Sequence, residues 1–347
     1  MGGMKPFPIL LSLFSLCIGC AEKVDFARWM GKGKKCYKHV RTKEDIQDLE
    51  LFRAHYEKNY RENPADRAVP RMIHFIWLGP KEFPPDFRVN MAGWQACHPD
   101  WEVKLWSDRI RQGIPEGVHC HQVPPSLVGE FRPLLEESDN YGERSDLLRL
   151  IILEKEGGVY VDHDVRCRRS FAGFAASYDF FTGLQNPGNH ILKRAAVVRN
   201  SIIGCRSHHP VIKEALDITK KTWDDSEKRF PGRDLDAVMA RVTHRAFLAF
   251  HKAVTNALGD PTFTGIVFPA GFFNEIDGEF GLYANETMAG AWYRDEMNYY
   301  ERYLMGRVHT LMKRLHAFMA IAGGLIFGNF ILLILFMRRN RLSKLQY

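Results

Sequence analysis

The sequence lacks the cysteine patterns and the nucleic-acid motifs that mark several common classes of protein. Its seven cysteines are irregularly spaced, and apart from Cys17 and Cys20 near the N-terminus they include no C-x-x-C pair, which argues against a zinc ribbon or zinc finger. The formal charge is +7, but the basic residues are spread along the chain and form no recognisable RNA- or DNA-binding module. We therefore expect no nucleic-acid partner. Cys17 and Cys20 lie in an apolar leader, and the odd number of cysteines that remains leaves the redox compartment open.

Apolar residues make up 46% of the 347 residues, enough for a globular core. We predict one large domain, residues 70–306, with membrane elements at the two ends of the chain. Residues 1–21 carry a single lysine and then an apolar run that is too short to span a bilayer comfortably. This segment has the length of a signal-peptide core, and an uncleaved signal anchor or a lipoprotein acylated at Cys20 are the alternatives.

The other membrane element is a predicted transmembrane helix at residues 317–337. This stretch carries no formal charge, and at about 1.5 Å per residue it would reach about 31 Å, the thickness of a bilayer core. The tail that follows, residues 338–347, is more basic than the flank before the helix, which favours a cytoplasmic tail. The main domain would then face the lumen or the cell exterior.

Residues 22–69 are polar and charged and predict an N-terminal helical extension. Thr42 and Asp45 are placed like a capping box, and an amphipathic helix from about Lys43 to Arg61 follows.

The main domain opens with an alternation of strand and helix. Met72 to Leu78 reads as a strand, Pro84 to Cys97 as a helix and Trp101 to Trp106 as a second strand. Strand, helix and strand in succession predict the start of a parallel sheet in an α/β fold. Further along, Leu235 to Leu258 reads as one long helical region.

Residues 143–171 are the part of the sequence that most clearly predicts a chemistry. Ser145 to Glu156 are good helix formers, and Asp146 and Arg149 share one helix face because they are three residues apart. Gly157 and Gly158 end this helix, since glycine takes the left-handed conformation without steric cost.

A short buried strand, Val159 to Val161, then leads directly into Asp162 and Asp164. Ligands bind at the carboxyl ends of strands in α/β sheets, and carboxylate oxygens suit Mg²⁺ or Mn²⁺. An Asp-x-Asp on its own is a weak motif, and a solvated turn is the ordinary interpretation of it.

The residues around the motif strengthen the functional interpretation. Ser-Asp-x-x-Arg, an apolar helix, Gly-Gly-Val-Tyr and Asp-x-Asp together resemble the glycosyltransferases that carry a DXD sugar-binding region, glycosyltransferase family 32. That family includes yeast-type α-mannosyltransferases and inositol phosphorylceramide mannosyltransferases, and it is distantly similar to clostridial glucosylating toxins. The stretches IHFIWLG, from Ile73, and HPDWEVKLWSD, from His98, resemble the same family. The resemblance implies a GT-A-like nucleotide-sugar-binding fold, a mostly parallel sheet flanked by helices.

The resemblance also implies roles for individual residues. Asp164 would bind a divalent cation directly, and Asp162 would contact the cation or the ribose. Asp146 would accept hydrogen bonds from sugar hydroxyls, and Arg149 would hold the sugar or its phosphate. The other residues that the resemblance places at the donor are Trp77 on the nucleotide base, Tyr160, Asn200 and Trp292. Without the resemblance, Trp77 would read as an ordinary core tryptophan.

The expected function is that of a metal-dependent, retaining glycosyltransferase using Mn²⁺ or Mg²⁺. It would move a hexose, mannose favoured, from GDP-mannose or a UDP-hexose to a glycolipid or glycan acceptor at a Golgi or ER membrane. Two alternatives remain open: a catalytically inactive carbohydrate-binding membrane protein, and a metal-dependent phosphoesterase. A phosphoesterase would want a second metal cluster.

Overall fold

The computed structural model describes residues 23–60, 69–138, 140–189, 194–232, 235–287, 308 and 311–319. The chain divides into two compact units, Met1–Ala289 and Gly290–Tyr347. In the second unit, residues 311–319 are helical and exposed. Across the described ranges, no helix combines the length and the apolar character needed to cross a membrane. The predicted helix 317–337 lies outside these ranges from residue 320 onward, and the predicted leader and basic tail lie outside them entirely.

A mixed sheet of seven strands forms the centre of the first unit. Its spatial order is β3-β2-β1-β4-β7-β6-β8, and every neighbouring pair is parallel except the two that β7 makes with β4 and β6. These strands are β1 Met72–Trp77, β2 Glu102–Ser107, β3 Val118–Gln122, β4 Gly158–Val161, β6 Phe180–Leu184, β7 Val198–Cys205 and β8 Ile266–Phe268. Two further strands, β5 Val165–Cys167 and β9 Ala284–Glu286, pair antiparallel in a small second sheet. The predicted α/β class with a mostly parallel sheet is confirmed.

Helices pack against both the strands and one another around this sheet. They are α1 Phe26–Trp29, α2 Lys43–Asn59, α3 Pro85–Cys97, α4 Pro125–Val128, α5 Arg132–Glu137, α6 Tyr141–Glu156, α7 Ala172–Ser177, α8 Pro210–Arg229, α9 Leu235–Val242 and α10 Ala249–Leu258. Single 3₁₀ turns occur at Lys35–His39, Gly129–Phe131, Pro187–Asn189 and Ala270–Phe272. The predicted strand-helix-strand start of the domain corresponds to β1, α3 and β2.

The helix α6 forms as the sequence predicts, and it carries two of the candidate site residues. Its N-cap is Asn140, whose side chain accepts a hydrogen bond from the Glu143 amide at 3.0 Å. Leu147 to Leu153 are all buried, because α6 packs on β1 and β4 on one side and on α8 on the other. The chain leaves the helix at Gly157, with φ +67°, and Gly158, with φ +90°.

The capping box predicted for α2 is half correct. Thr42 does cap the helix, accepting a hydrogen bond from the Asp45 amide at 3.0 Å. The Asp45 carboxylate, however, is fully buried and accepts hydrogen bonds from the backbone amides of Ala195 and Ala196 at 2.9 and 3.0 Å. The Asp45 carboxylate thus joins the N-terminal extension to the main domain. It binds these two distant amides instead of the amide at the start of its own helix.

The predicted helix Leu235–Leu258 is not one regular helix. Thr243–Leu248 form a π-helical segment between α9 and α10. Within this segment, the buried Arg245 pairs with Glu143 of α6 at 3.1 Å and lies with its guanidinium 4.0 Å from the centre of the Trp223 ring. Good helix formers on both sides hide the change of helical register from a periodicity argument.

Candidate active site

The two aspartates of the Asp-x-Asp motif follow β4 at the centre of the main sheet. The Asp162 amide donates to Ser201 of the neighbouring β7 at 2.9 Å, which extends the ladder beyond the strand. The Val165 amide then donates back to the Asp162 carbonyl at 3.2 Å and closes a turn. Because this turn leads the chain directly into β5, both carboxylates stay near the carboxyl end of β4. Asp164 is buried and Asp162 is partly exposed.

Arg149 links α6 to this turn. Its guanidinium contacts the Asp146 carboxylate at 2.6 Å and the Asp162 carboxylate at 3.2 Å. It also donates to the Asn200 carbonyl at 2.6 Å and lies 4.3 Å from the centre of the Tyr160 ring. The predicted pairing of Asp146 with Arg149 therefore exists, and the same arginine joins the pair to the Asp-x-Asp segment.

Asn200 and Tyr160 complete this network. The Asn200 amide group donates to Asp146 at 3.1 Å, and the Tyr160 hydroxyl donates to Asp162 at 2.6 Å. Burial raises the pKa of Asp146 to about 7, although the charge of Arg149 opposes this shift. The pKa of Tyr160 is also raised, chiefly by burial, so its hydroxyl stays a hydrogen-bond donor at neutral pH.

A third carboxylate, which the sequence reasoning did not identify, meets the two aspartates. Oxygen atoms of Asp162, Asp164 and Glu286 all lie within 4.8 Å of one another. Three carboxylates in this arrangement offer the oxygen ligands that Mg²⁺ and Mn²⁺ prefer. The donor set therefore fits a divalent cation of this kind. Ser201 holds the second oxygen of Glu286 at 3.1 Å, and Arg199 pairs with the first.

Glu286 reaches the aspartates because β9 pairs with β5. Val165, the residue after Asp164, lies opposite Glu286 in this small sheet. The pairing therefore brings Glu286 next to the Asp-x-Asp segment. The Thr287 amide and hydroxyl both donate to the Asp164 carbonyl, at 3.0 and 3.1 Å. The nearest residue that the resemblance named is Trp292, six residues further on, and Glu286 was not singled out.

Of the two tryptophans predicted at the donor site, Trp77 lies beside the Asp-x-Asp turn. Trp77 ends β1 and is half-buried, with its ring 5.4 Å from that of His163, the residue between the two aspartates. Its indole N–H donates to the Lys81 carbonyl at 2.9 Å, so one edge of the ring is fixed. The structure thus brings Trp77 to the Asp-x-Asp turn. Trp292 lies outside the described residues.

A cavity of about 610 Å³ adjoins the carboxylate cluster and shares Glu286 with it. Its walls combine guanidinium and amide groups, from Arg166, Arg168, Asn186, Asn189, Asn274 and Asn285. Arg168 also lies 5.0 Å from the centre of the Phe280 ring, at the same wall. The cavity is therefore suited to a polar ligand with hydroxyl and anionic groups.

Comparisons with known proteins agree with the site. Residues 84–181 match the model of the glycosyltransferase sugar-binding region containing the DXD motif, and residues 140–239 match that of a capsular polysaccharide synthesis protein. The chain is 25% identical over 152 residues to inositol phosphoceramide mannosyltransferase 3 of Schizosaccharomyces pombe, covering 43% of this chain and 36% of the relative. The resemblance drawn from residues 143–171 is confirmed.

Two further relatives are bacterial and fungal. Subversion of eukaryotic traffic protein A of Legionella pneumophila is 25% identical over 182 residues, 48% of this chain and 27% of the relative. Mannosyl phosphorylinositol ceramide synthase SUR1 of Saccharomyces cerevisiae is 26% identical over 166 residues, 46% of this chain and 38% of the relative. The chain spans about half or less of the length of the curated relatives that it matches.

Among solved structures, the PaToxG glycosyltransferase aligns with a TM-score of 0.44 at 17% identity. The alignment covers 64% of this chain and 79% of that one.

Proposed function

We propose that this chain, whose residues 84–181 carry a DXD-type glycosyltransferase sugar-binding region, is a metal-dependent, retaining hexosyltransferase with a GT-A-like fold. It takes a hexose from a nucleotide-diphosphate sugar, with mannose favoured, and transfers it to a membrane-associated glycolipid or glycan. The observation that carries the proposal is the meeting of three carboxylates with the Asp146–Arg149 pair at the end of β4. A cation and a sugar can be held side by side there.

Asp162, Asp164 and Glu286 would hold the cation, Mn²⁺ or Mg²⁺. It would supply Lewis-acid stabilisation of the charge that develops on the departing nucleoside diphosphate. Arg199 and Ser201 hold Glu286, so this ligand is oriented before any donor arrives.

The donor sugar lies against α6, where hydrogen-bonding groups are fixed in advance. Asp146 accepts from sugar hydroxyls, while Arg149 and Asn200 hold its carboxylate in place. The Arg149 Nε atom is buried and donates to no partner among the described residues. Tyr160 stacks its ring under the Arg149 guanidinium and would line the donor site, and Trp77 would offer its ring to the nucleotide base.

Retention of the anomeric configuration is inferred from the resemblance to retaining transferases. We propose a displacement on one face of the sugar, in which the acceptor hydroxyl enters on the side from which the diphosphate departs. The positioned groups around Asp146 would hold the sugar during this exchange.

The acceptor occupies the cavity beside Glu286. Arg166 and Arg168 match a phosphate or other anionic group, and the amides of Asn186, Asn189 and Asn274 match hydroxyls. Several relatives carry names that refer to inositol phosphoceramide, and an inositol phosphate head group has this chemistry. A glycolipid of that class is therefore the proposed acceptor, with GDP-mannose as the favoured donor.

We further propose that residues 317–337 anchor the chain in a Golgi or ER membrane with the domain in the lumen. A lumenal domain has access to imported nucleotide sugars, and an anchor close to the domain suits a lipid-linked acceptor. This proposal depends on the charge pattern around the apolar segment.

The test is hydrolysis and transfer by the full chain over a panel of nucleotide sugars, with Mn²⁺ or with EDTA. We expect one sugar nucleotide to be cleaved, cleavage to stop with EDTA, and Asp164→Asn to be inactive. Asp225→Asn, which removes an exposed carboxylate on α8, is the matched control and should keep full activity.

Each rival predicts a different result in the same panel. A carbohydrate-binding protein without activity would bind a donor or acceptor and release no nucleotide. A phosphoesterase would release inorganic phosphate from simple phosphate esters and leave the glycosidic bond intact.

A further inference from the structure

The helix α3 packs along the strand β5 and the turn before it, and its side chains donate hydrogen bonds to backbone carbonyls there. The Asn90 amide group donates to the His163 carbonyl, and the Trp94 indole N–H donates to the Val165 carbonyl, both at 2.9 Å. Four residues along the helix thus correspond to two residues along the strand. This ratio fits the two rises, about 1.5 Å per residue in a helix and about 3.3 Å in a strand.

About one helical turn beyond Trp94, the same side of α3 presents a cysteine near a cysteine of β5. Cys97 lies three residues after Trp94, on the same helix face, and Cys167 lies two residues after Val165. Their thiols are in hydrogen-bond contact, which lowers the pKa of the Cys97 thiol to about 7 and raises that of the Cys167 thiol. Cys97 is therefore the first of the two to become a thiolate. Both side chains are half-buried, and Cys167 also lines the 610 Å³ cavity, so small molecules can reach the pair.

We propose that Cys97 and Cys167 form a disulfide in an oxidising compartment. The oxidant is a disulfide, RSSR, of low molecular weight or of a protein. The Cys97 thiolate attacks one sulfur of RSSR and releases RS⁻. The Cys167 thiol then loses its proton and attacks the Cys97 sulfur of the mixed disulfide, releasing the second RS⁻. In sum, two protein thiols and RSSR become one protein disulfide and two RSH.

The bond would fasten the strand that supports the carboxylate cluster. β5 follows Asp164 directly and holds β9, which carries Glu286. The disulfide would close a loop of chain from Cys97 to Cys167. This part of the sequence contains four residues of the candidate site, Asp146, Arg149, Asp162 and Asp164. The disulfide would therefore restrict the unfolded chain and hold β5 against α3 in the folded one. This inference depends only on the two thiols and stands whether or not the chain transfers a sugar.

The test is disulfide mapping of the full chain equilibrated with glutathione buffers from reduced to oxidised. Samples are acid-quenched, alkylated and digested without reduction, and the peptides are identified by mass spectrometry. We expect a Cys97–Cys167 linked pair to replace the two alkylated peptides as the buffer becomes oxidising. Cys120, which is exposed, should not join this pair.

Thermal unfolding provides a second readout. Oxidation should raise the midpoint by several degrees in the wild type and in Cys120→Ser, and leave it unchanged in Cys97→Ser and Cys167→Ser. Two outcomes would overturn the proposal: alkylation of both cysteines at every buffer composition, or linkage of Cys97 or Cys167 to a different cysteine or to glutathione as the stable product.

Discussion

At the scale of residues, Arg149 connects the two halves of the candidate site. It is buried and contacts Asp146 on its own helix and Asp162 at the end of the next strand. Burial opposes its charge, but the two carboxylates outweigh this effect and raise its pKa. Removing the guanidinium would leave the buried Asp146 carboxylate and the partly exposed Asp162 carboxylate without this cation.

We predict that Arg149→Met lowers the free energy of unfolding by about 3 to 5 kcal/mol, because breaking a buried pair leaves uncompensated charge. Arg149→Lys should retain part of this stability, since it keeps the charge and loses the planar fork of donors. The measurement is chemical denaturation at neutral pH. Arg53→Met, at an exposed pair with Glu50, should cost far less stability, because solvent screens that pair. Equal losses in the two Met variants would contradict the account.

Glu286 is the residue whose role the geometry adds to the motif. We predict that Glu286→Gln raises the Mn²⁺ concentration for half-maximal turnover by at least about tenfold, because an amide is a weaker ligand than a carboxylate. Turnover of the preferred sugar nucleotide against Mn²⁺ concentration measures this. Glu275→Gln is the control, since Glu275 lines the same cavity without belonging to the cluster. An unchanged Mn²⁺ dependence in Glu286→Gln would remove Glu286 from the ligand set.

These two residues show what the sequence can predict of the site. Asp146 and Arg149 are three apart on a helix, so their contact follows from local geometry. Glu286 meets Asp162 and Asp164 only because β9 pairs with β5 across more than a hundred residues. No local pattern encodes that pairing, and a lone Glu between Asn285 and Thr287 is an ordinary surface residue by composition.

At the scale of elements, the junction of α6 and β4 depends on His74 of the neighbouring strand β1. His74 donates to the Gly157 carbonyl at 2.8 Å through Nε2, and its Nδ1 accepts from the Trp106 indole at 3.1 Å. The two contacts together select the neutral ring with its proton on Nε2. Gly158 approaches the same ring so closely that a Cβ there would lie 2.7 Å from Nε2.

Protonation of His74 should therefore destabilise the fold. Burial lowers the pKa of His74 to about 4. The hydrogen bond to Gly157 and the charge of Glu102 oppose this shift, and Lys104 and His121 add to it. The unfolded chain binds the proton first, near pH 6.5. The stability that the neutral ring contributes is complete above that pH and is lost as the pH falls towards 4.

We predict that the wild type loses about 2 kcal/mol more than His74→Gln when the pH is lowered from 7 to 5. Denaturant unfolding of both proteins at the two pH values gives the difference. His119→Gln, at an exposed position on β3, should follow the wild type. Identical pH dependence in the wild type and His74→Gln would show that the ring does not titrate as its burial implies.

The elements also show where periodicity fails. The sequence predicted α3, α6, β1, β2 and β4 within a few residues of their observed bounds, because capping residues and glycines mark their ends. The π-helical segment Thr243–Leu248 was missed, since all of its residues fit a regular helix. Its reason is tertiary: it lies where Arg245 reaches Glu143 of α6 and Ser226 of α8.

At the scale of the whole molecule, the proposed topology has the domain in the lumen and the basic tail in the cytoplasm. We predict that a sequon completed by Asp224→Asn on the exposed face of α8 acquires a glycan in a eukaryotic cell. The same sequon on a flexible extension after Tyr347 should stay unmodified. Loss of a gel shift on endoglycosidase treatment reads out both. A glycan on the extension alone would reverse the topology.

The whole architecture was predictable only in class. Alternating strands and helices predict a mostly parallel sheet, which the structure has. The reversed strand β7 and the small sheet of β5 and β9 were not predicted, since strand direction depends on which partners pair rather than on composition. The membrane elements and Trp292 remain predictions.

The central claim is that Asp162, Asp164 and Glu286 bind one divalent cation to which the donor diphosphate attaches. The most direct measurement is titration of the full chain with Mn²⁺, in which free Mn²⁺ is followed by electron paramagnetic resonance, with and without GDP or UDP. The account predicts one site per chain, tighter when the preferred nucleotide is present, and lost in Asp164→Asn. Cation and nucleotide must strengthen each other's binding equally if they share the site. Equal Mn²⁺ binding by the wild type and Asp164→Asn, or binding indifferent to both nucleotides, would contradict it.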